Sequence, residues 1–223
     1  FAYTHPFGCS QLGDDQENTR KILASLANHP NAGGVLIVSL GCENTNVEIF
    51  KKYLGEYNKK RIKFLVTQDC ENELEKGEKL LKELYTFVKS FKREPIPINK
   101  LVVGYKCGGS DAFSGITANA HCGKLTDKLT SFGTSAILTE VPEMFGAEKL
   151  LMKRCENEKV FNKSVNMINS FKQYFFSHNQ ECYENPSPGN HDGGITTIEE
   201  KSLGCIQKGG KSVITDVLEY GEH

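Results

Sequence analysis

The sequence has no apolar run approaching the roughly 20 residues that a membrane-spanning helix needs, so no such helix is expected. It also has almost no net charge. The 27 Lys and Arg against 28 Asp and Glu leave -1, too little for an electrostatic footprint toward nucleic acid or an anionic membrane. The opening residues, Phe1-Ala2-Tyr3-Thr4-His5-Pro6, lack the basic and apolar regions of a secretory signal. They also lack an initiating Met, and the chain reads as a fragment of something longer. Eight cysteines fall at 9, 42, 70, 107, 122, 155, 182 and 205, with no C-x-x-C pair and no zinc-finger rhythm. Without a secretory signal they read as free thiols in a reducing cytoplasm, not as a disulfide framework. No G-x-G-x-x-G or P-loop sequence is present, which weighs against a nucleotide-binding module. There is no internal repeat and no low-complexity segment.

What the chain does have is an ordinary globular composition, 38% hydrophobic and 25% charged over 223 residues, enough for one large domain or two small ones. Helix-like and strand-like patterns alternate. A helix is expected over 16–28, with Asp14 and Glu17 at capping-box spacing ahead of its apolar face. The continuous run Val35-Leu36-Ile37-Val38 suits a strand covered on both faces. A helix near 45–57 leads to a strand at 62–66. The helix expected over 71–91 has Leu74, Leu81, Leu84, Val88 and Phe91 in a stripe, with Glu75/Lys79 and Glu78/Lys82 placed for pairing. Pro95-Ile96-Pro97 then opens a linker, 95–99, between a first unit (1–94) and a second (100–223). The second unit repeats the rhythm, with a strand at 101–105, a helix over 114–131 and a strand at 136–139. A long helical region follows over 145–178, broken near 156, with Phe161, Val165, Ile168, Phe171 and Phe175 on one side of its second part. Residues 183–194 read as a loop and 211–219 as the start of another helix. The expected fold class is α/β, a parallel sheet with helices on both faces in a Rossmann-like three-layer arrangement.

In such sheets ligands bind where strands end, and the strand ends here are chemically rich. Gly41-Cys42-Glu43-Asn44 follows the first strand, Cys107-Gly108-Gly109-Ser110-Asp111 the third and Glu140-Val141-Pro142-Glu143 the fourth. Tyr3 to Ser10 reads as the end of a further strand. His5 and Cys9 are candidate ligands for a borderline divalent metal, since imidazole and thiolate both suit Fe²⁺ or Zn²⁺; Cys42 and Cys107 are placed to complete such a site. Glu43, Asp111, Glu140 and Glu143 are acid or base candidates. His29, His121 and His178 read as structural. The stretch from Glu184 to Lys201 combines Pro186 and Pro188 with three glycines and many hydrogen-bonding side chains, and reads as a binding loop over 183–202 for a polyhydroxylated anion.

These residues carry a resemblance. Thr4 to Asp15 (Thr-His-Pro-Phe-Gly-Cys-Ser-Gln-Leu-Gly-Asp-Asp), Gly41 to Asn44, Cys107 to Asp111, Ser114 to Asn119, Glu140 to Glu148, Asn185 to Asn190 and Thr196 to Gly204 resemble the altronate/galactarate dehydratase family. The wording Ser-Gln-Leu-Gly-Asp-Asp and Glu-Met-Phe-Gly-Ala-Glu is similar to its altronate branch, while His191-Asp192 departs from the lysine-containing version of that loop. The resemblance implies a cytoplasmic sugar-acid hydro-lyase and a parent protein with a small β-rich domain before this region and further α/β structure after it. It also implies a divalent metal, Fe²⁺ with Mn²⁺ as the second choice.

The implied reaction converts D-altronate to 2-dehydro-3-deoxy-D-gluconate and water. It needs a base for the C2 proton, an acid for the departing C3 hydroxyl, and stabilisation of charge on the substrate carboxylate. On chemical grounds His5, Cys9, Cys42 and Cys107 are assigned to the metal, and Asp111, Glu143 and Glu140 to proton transfer. Ser110, Thr117, Asn119, Asn185, Ser187, Asn190 and Lys201 are assigned to the substrate. The only partner expected is the small sugar acid, with no nucleic acid and no membrane; a homo-oligomer is left open. The alternatives are galactarate dehydration, elimination of sulfite from a sulfolactate-type acid, a noncatalytic α/β ligand-binding module and a structural metal-binding module.

Overall fold

The apolar run at 35–39 is a strand. β1 (Val35–Ser39) pairs in parallel with β2 (Ile62–Val66), Val35 opposite Ile62 and Ile37 opposite Phe64. In the computed structural model, which describes residues 1–219 and Glu222, the chain divides into two units. One holds Phe1–Glu94 with Leu218 and Glu219; the other is Pro95–Val217. Tyr220, Gly221 and His223, the end of the region expected as the second unit, lie outside the described residues.

In the first unit the paired strand residues decide what packs where. Val35, Ile37, Ile62 and Phe64 share one face, since cross-strand partners point the same way. They meet Ala24 and Ala27 of α1 (Gly13–Asn28) and Phe50 and Leu54 of α2 (Val47–Leu54). The alternate residues face α3 (Glu73–Val88). Lys63 reaches Glu83 at 3.1 Å, and Leu65 lies across from Gly77. Helices therefore cover both faces of this small sheet. Residues 1–12 contain no strand, contrary to the expectation for Tyr3 to Ser10. The capping box expected from Asp14 and Glu17 does not form: α1 begins at Gly13 without a side-chain cap, and Glu17 instead accepts a hydrogen bond from the Tyr53 hydroxyl at 2.5 Å. In α3 the apolar stripe is only partly used. Leu84 is 4% exposed, but Leu74 is 80% and Leu81 54% exposed. A sheet of two strands about 4.8 Å apart is too narrow to cover a whole helix face.

The second unit has its own parallel pair, β3 (Val102–Tyr105) with β4 (Ser135–Leu138), joined by α4 (Ala118–Thr130). The α/β class and parallel pairing match the sequence reading, and the described strands form one two-stranded parallel sheet in each unit. The segment 114–117, expected as helix, is turned instead. The long helical region breaks where expected, into α5 (Glu148–Met152) and α6 (Glu158–Ser177), and Asn157 caps α6 by accepting from the Val160 amide at 3.0 Å. The buried stripe of α6 is Val160, Ser164 and Ile168, while Phe161 is exposed. Phe171 and Phe175 pack on a core of Met144, Phe145, Ala147, Leu151, Ile168 and Ile206.

Two helices lie in the stretch read as a binding loop: α7 (Pro188–Asp192) and α8 (Ile198–Gln207). Their signals were present in the sequence. Pro188 stands at the first helical position after Ser187, and Thr197 caps α8 by accepting from the Glu200 amide at 3.2 Å. The tail expected as helix at 211–219 is extended. Ile214 bridges Cys155 in parallel, held by the Arg154 guanidinium, which donates to the carbonyls of Gly209 at 3.0 Å and Gly210 at 2.6 Å. No helix among the described residues is long and apolar enough to cross a membrane.

α8 lies so close to α4 that the crossing leaves no room for a Cβ on Gly123 and little on Gly204. A Cβ on Gly123 would run into the Gln207 carbonyl oxygen, and one on Gly204 would sit 2.8 Å from the Asn119 amide nitrogen. Gly77 in α3 is different, because a Cβ there meets only Leu65 at an ordinary 3.5 Å. Replacing a mid-helix glycine by alanine is intrinsically worth up to about 1 kcal/mol. Gly77→Ala should therefore raise the denaturation midpoint, while Gly123→Ala should lower it. Equal shifts in the two variants, followed by circular dichroism, would contradict the α4–α8 contact.

Candidate functional site

At the end of β4 the backbone of Glu140 takes φ 65° and ψ 62°, a left-handed conformation that costs a non-glycine residue about 1–2 kcal/mol. The bend returns its carboxylate to the end of β3. Oε2 accepts from the Cys107 amide at 2.6 Å, and Oε1 lies 3.3 Å from the Lys106 ammonium. Burial pushes the Glu140 carboxyl up, but the Cys107 amide and the charges of Lys106 and Lys208 together hold it below the usual 4.5.

Three residues on, in the turn Val141–Met144, buried Glu143 meets buried Lys201 from the first turn of α8, 2.8 Å apart. The Lys201 ammonium also donates to Asn185 Oδ1 at 2.9 Å and Asn190 Oδ1 at 3.0 Å. An ammonium has three protons, and all three find acceptors. Asn190 in turn accepts from Ser187, backbone and hydroxyl, and donates to the Ser110 carbonyl at 2.9 Å. The second carboxylate oxygen of Glu143 is buried without a hydrogen-bond partner. The sequence-assigned Ser110, Asn185, Ser187, Asn190, Lys201 and Glu143 thus form one connected network inside the second unit.

Beside it runs a groove of about 780 Å³ lined by Ser110, Asp111, Asn119, Lys201, Arg154 and Lys211, among others. Its cations favour an anionic ligand, and Ile116, Leu150, Leu203 and Ile206 give it apolar walls. Asp111 lines the groove and also shapes it: Oδ1 accepts from the amides of Phe113 at 3.0 Å and Ser114 at 2.8 Å. Those bonds explain why 114–117 turns before α4 begins. Thr117 does not join the network; its hydroxyl donates to the Phe113 carbonyl at 2.7 Å.

The four metal candidates are divided between the units, three in the first and Cys107 in the second. Cys107 belongs to the second unit, where its sulfur lies 3.3 Å from the Ser110 hydroxyl and accepts from the Gly109 amide at 3.4 Å. In the first unit His5 stacks near Phe7 with Nδ1 unpartnered. Cys9 contributes its carbonyl to Asn44, and the exposed Cys42 thiol accepts from Gln68 at 3.3 Å. Among the described residues no three His, Cys, Asp or Glu side chains converge as a metal would require, so the donors within either unit do not fit a metal centre. Glu43 has another task. It accepts from the Ser39 hydroxyl and from the amides of Leu40 at 3.1 Å and Gly41 at 2.6 Å, closing the turn after β1. Burial raises its carboxyl, and these bonds outweigh burial and hold it low. The ring nitrogens of His29 and His178 bond to nearby backbone, as structural residues do.

Sequence reasoning missed Lys208 and Arg154. Lys208 is 6% exposed, and its position next to Gly209-Gly210 gave no hint of burial. It follows Lys201 by seven residues and therefore shares its helix face, a signal that becomes legible once α8 is recognised. Cys205 lies between them on that face, its thiol pushed up to about 11 by burial despite the Lys208 charge. All eight cysteines are free.

Residues 98–223 match the family model described as D-galactarate/Altronate dehydratase, C-terminal, and residues 1–89 the one described as D-galactarate dehydratase/Altronate hydrolase, second domain. The chain is 58% identical over 218 residues to an altronate dehydratase of Bacillus subtilis, covering 98% of this chain and 44% of that protein. Identity to an altronate dehydratase of Escherichia coli is 53% over 222 residues, covering 100% of this chain and 45% of that protein. Galactarate dehydratase (L-threo-forming) of Escherichia coli is 32% identical over 211 residues, with 91% of this chain and 40% of that protein covered. The chain thus spans slightly under half the length of the altronate dehydratases it matches.

Removing one partner of a buried ion pair strands the other and typically costs about 3–5 kcal/mol. Lys201→Met and Glu143→Gln should each destabilise the second unit on that scale. The double replacement Glu143→Leu with Lys201→Met should recover much of the loss, and simple additivity in denaturant titrations would deny the pairing. The half-buried Glu148–Lys172 pair, 2.8 Å apart, predicts a pH effect. Burial raises the Glu148 carboxyl, but the Lys172 hydrogen bond outweighs it and the value falls below 4.5. The unfolded chain then takes up its proton first as pH falls, so the pair stabilises above about pH 4.5 and its contribution is lost below that. Glu148→Gln should flatten the acid limb of the melting profile; an unchanged limb would exclude this assignment.

Proposed function

The chain belongs to the D-galactarate/altronate dehydratase family, and from that premise we propose that the protein acts as a hydro-lyase converting D-altronate to 2-dehydro-3-deoxy-D-gluconate and water. The observation that carries the choice of substrate is the identity of 58% and 53% to altronate dehydratases against 32% to a galactarate dehydratase. The site is the groove of the second unit, whose chemistry suits a small polyhydroxylated anion.

In this reading the cations of Lys153, Arg154 and Lys211 draw the substrate carboxylate into the groove. Asp111, which faces the groove, takes the C2 proton; its oxygen bonded to Phe113 and Ser114 fixes the carboxylate's orientation. Lys201 supplies the proton with which the C3 hydroxyl leaves as water. Glu143 and Asn185 hold that ammonium in place, and Glu143 compensates its charge. Asn119 and Ser110 are the polar wall that the hydroxyls meet. A divalent metal, Fe²⁺ or Mn²⁺, belongs to the proposal as a Lewis acid for charge on the carboxylate; neither unit by itself assembles its ligands, and no step above passes through it. The enzyme is read as cytoplasmic, in keeping with eight free thiols, with the small sugar acid as its partner rather than nucleic acid or membrane, and as a candidate homo-oligomer.

The test uses the full-length protein, purified without oxygen and supplied with Fe²⁺, and follows 2-keto acid release from altronate, galactarate, mannonate, gluconate and sulfolactate. Release from altronate alone is expected, and Lys201→Met should lower it by about 10²–10⁴-fold, the usual worth of a general acid. Turnover of galactarate instead would correct the substrate. Silence across the panel with metal bound would return the chain to the binding-module reading.

A further inference from the structure

The turn that leaves α8 is held far more firmly than its sequence requires. Lys208-Gly209-Gly210-Lys211 contains two consecutive glycines, the residues with the greatest backbone freedom. In the structure each part of it is tied down by a side chain from elsewhere in the second unit. The Lys208 carbonyl accepts from the buried Thr126 hydroxyl of α4 at 2.6 Å. The Arg154 guanidinium, just after α5, donates to the carbonyls of Gly209 and Gly210. The Lys211 amide donates to Asp127 Oδ1 of α4 at 2.7 Å, and the Ser212 hydroxyl donates to the same oxygen at 3.2 Å. Thr130, one turn further along α4, lies 2.8 Å from that hydroxyl.

Asp127 sits so near the turn that a Cβ on Gly210, where φ is 55°, would run into its carboxylate and into the Gly123 carbonyl. Ordering such a turn costs conformational entropy. What the ordering fixes is the place of Lys211, an exposed residue that lines the groove. None of the ion pairs among the described residues uses the Lys211 ammonium. Its charge is therefore open to a ligand, whereas Arg154 already directs Nη1 at the two glycine carbonyls.

We propose that Asp127 is a positioning residue: by accepting from the Lys211 amide and the Ser212 hydroxyl, it holds the turn after α8 so that Lys211 meets the carboxylate of a ligand in the groove. The effect on binding rests on the reading of that groove as the substrate site; the hold on the turn does not. Asp127 touches no substrate and acts through Lys211.

The experiment combines amide hydrogen exchange, resolved to the peptide containing Gly209–Ser212, with altronate kinetics on the full-length protein. The variants are Asp127→Ala, Asp127→Asn, Lys211→Met and the double replacement Asp127→Ala with Lys211→Met. Exchange at the Lys211 amide should accelerate about tenfold or more in Asp127→Ala. It should stay near wild type in Asp127→Asn, whose side-chain oxygen still accepts, and in Lys211→Met, which keeps the amide. Asp127→Ala and Lys211→Met should each raise KM about tenfold with little change in kcat, as loss of uniform binding does. The double variant should raise KM no further than Lys211→Met alone. Unchanged exchange in Asp127→Ala would overturn the proposal, and so would KM effects that multiply in the double variant. Acceleration spread evenly over 95–217 would also overturn it, since Asp127 would then be only a packing residue. An unchanged KM in Lys211→Met, with the exchange result as expected, would defeat the reading of the groove as the substrate site and leave the hold on the turn standing.

Discussion

A lysine ammonium removed from water is stable only if its protons meet acceptors and its charge meets a carboxylate. Lys201 meets both conditions with groups drawn from three places: Glu143 after β4, Asn185 before α7, and Asn190 within α7. Much of the second unit follows from that requirement. α7 must close its own cap so that the Asn190 side chain points inward, and the Asn190 amide then fixes the Ser110 carbonyl at the groove. α8 must lie tightly on α4, which admits only glycine at 123. The apolar core of Met144, Phe145, Leu151, Ile168 and Ile206 sits directly behind, so the polar network and the core share the turn Val141–Met144.

The first unit solves a simpler problem. Its two-stranded sheet is covered on both faces, and its strand-end carboxylate, Glu43, is spent on closing a turn. The same residue type at a strand end thus plays different parts in the two units. Glu43 binds the amides of its own loop, whereas Glu140 reaches across to the neighbouring strand's loop because its backbone is left-handed. Sequence position alone could not separate these roles, since both glutamates stand just after a strand-like run.

The balance of charge and apolar surface in the groove bears on its chemistry. Cations at Lys153, Arg154, Lys201 and Lys211 line it together with Asp111 and Glu200. An anionic ligand is attracted by the cations, while the Asp111 carboxylate also faces the groove. Burial of the Lys201 pair keeps water from competing for that ammonium.

Local physics made much of the chain legible from residue order alone. The apolar run Val35–Val38 and the mostly apolar segment at 62–66 lie in the parallel strands, and Pro95-Ile96-Pro97 stands where the two units divide. The motifs singled out Glu143, Asn185, Asn190 and Lys201, and the fold brings those four side chains into contact. Tertiary structure decided the rest. It turned an apparent loop into α7 and α8, because helix stability there comes from packing on α4 and the core rather than from propensity. It left Leu74 and Leu81 exposed, because a narrow sheet cannot cover them. And it buried Lys208, whose environment is made by residues dozens of positions away and is invisible to any pattern of neighbours.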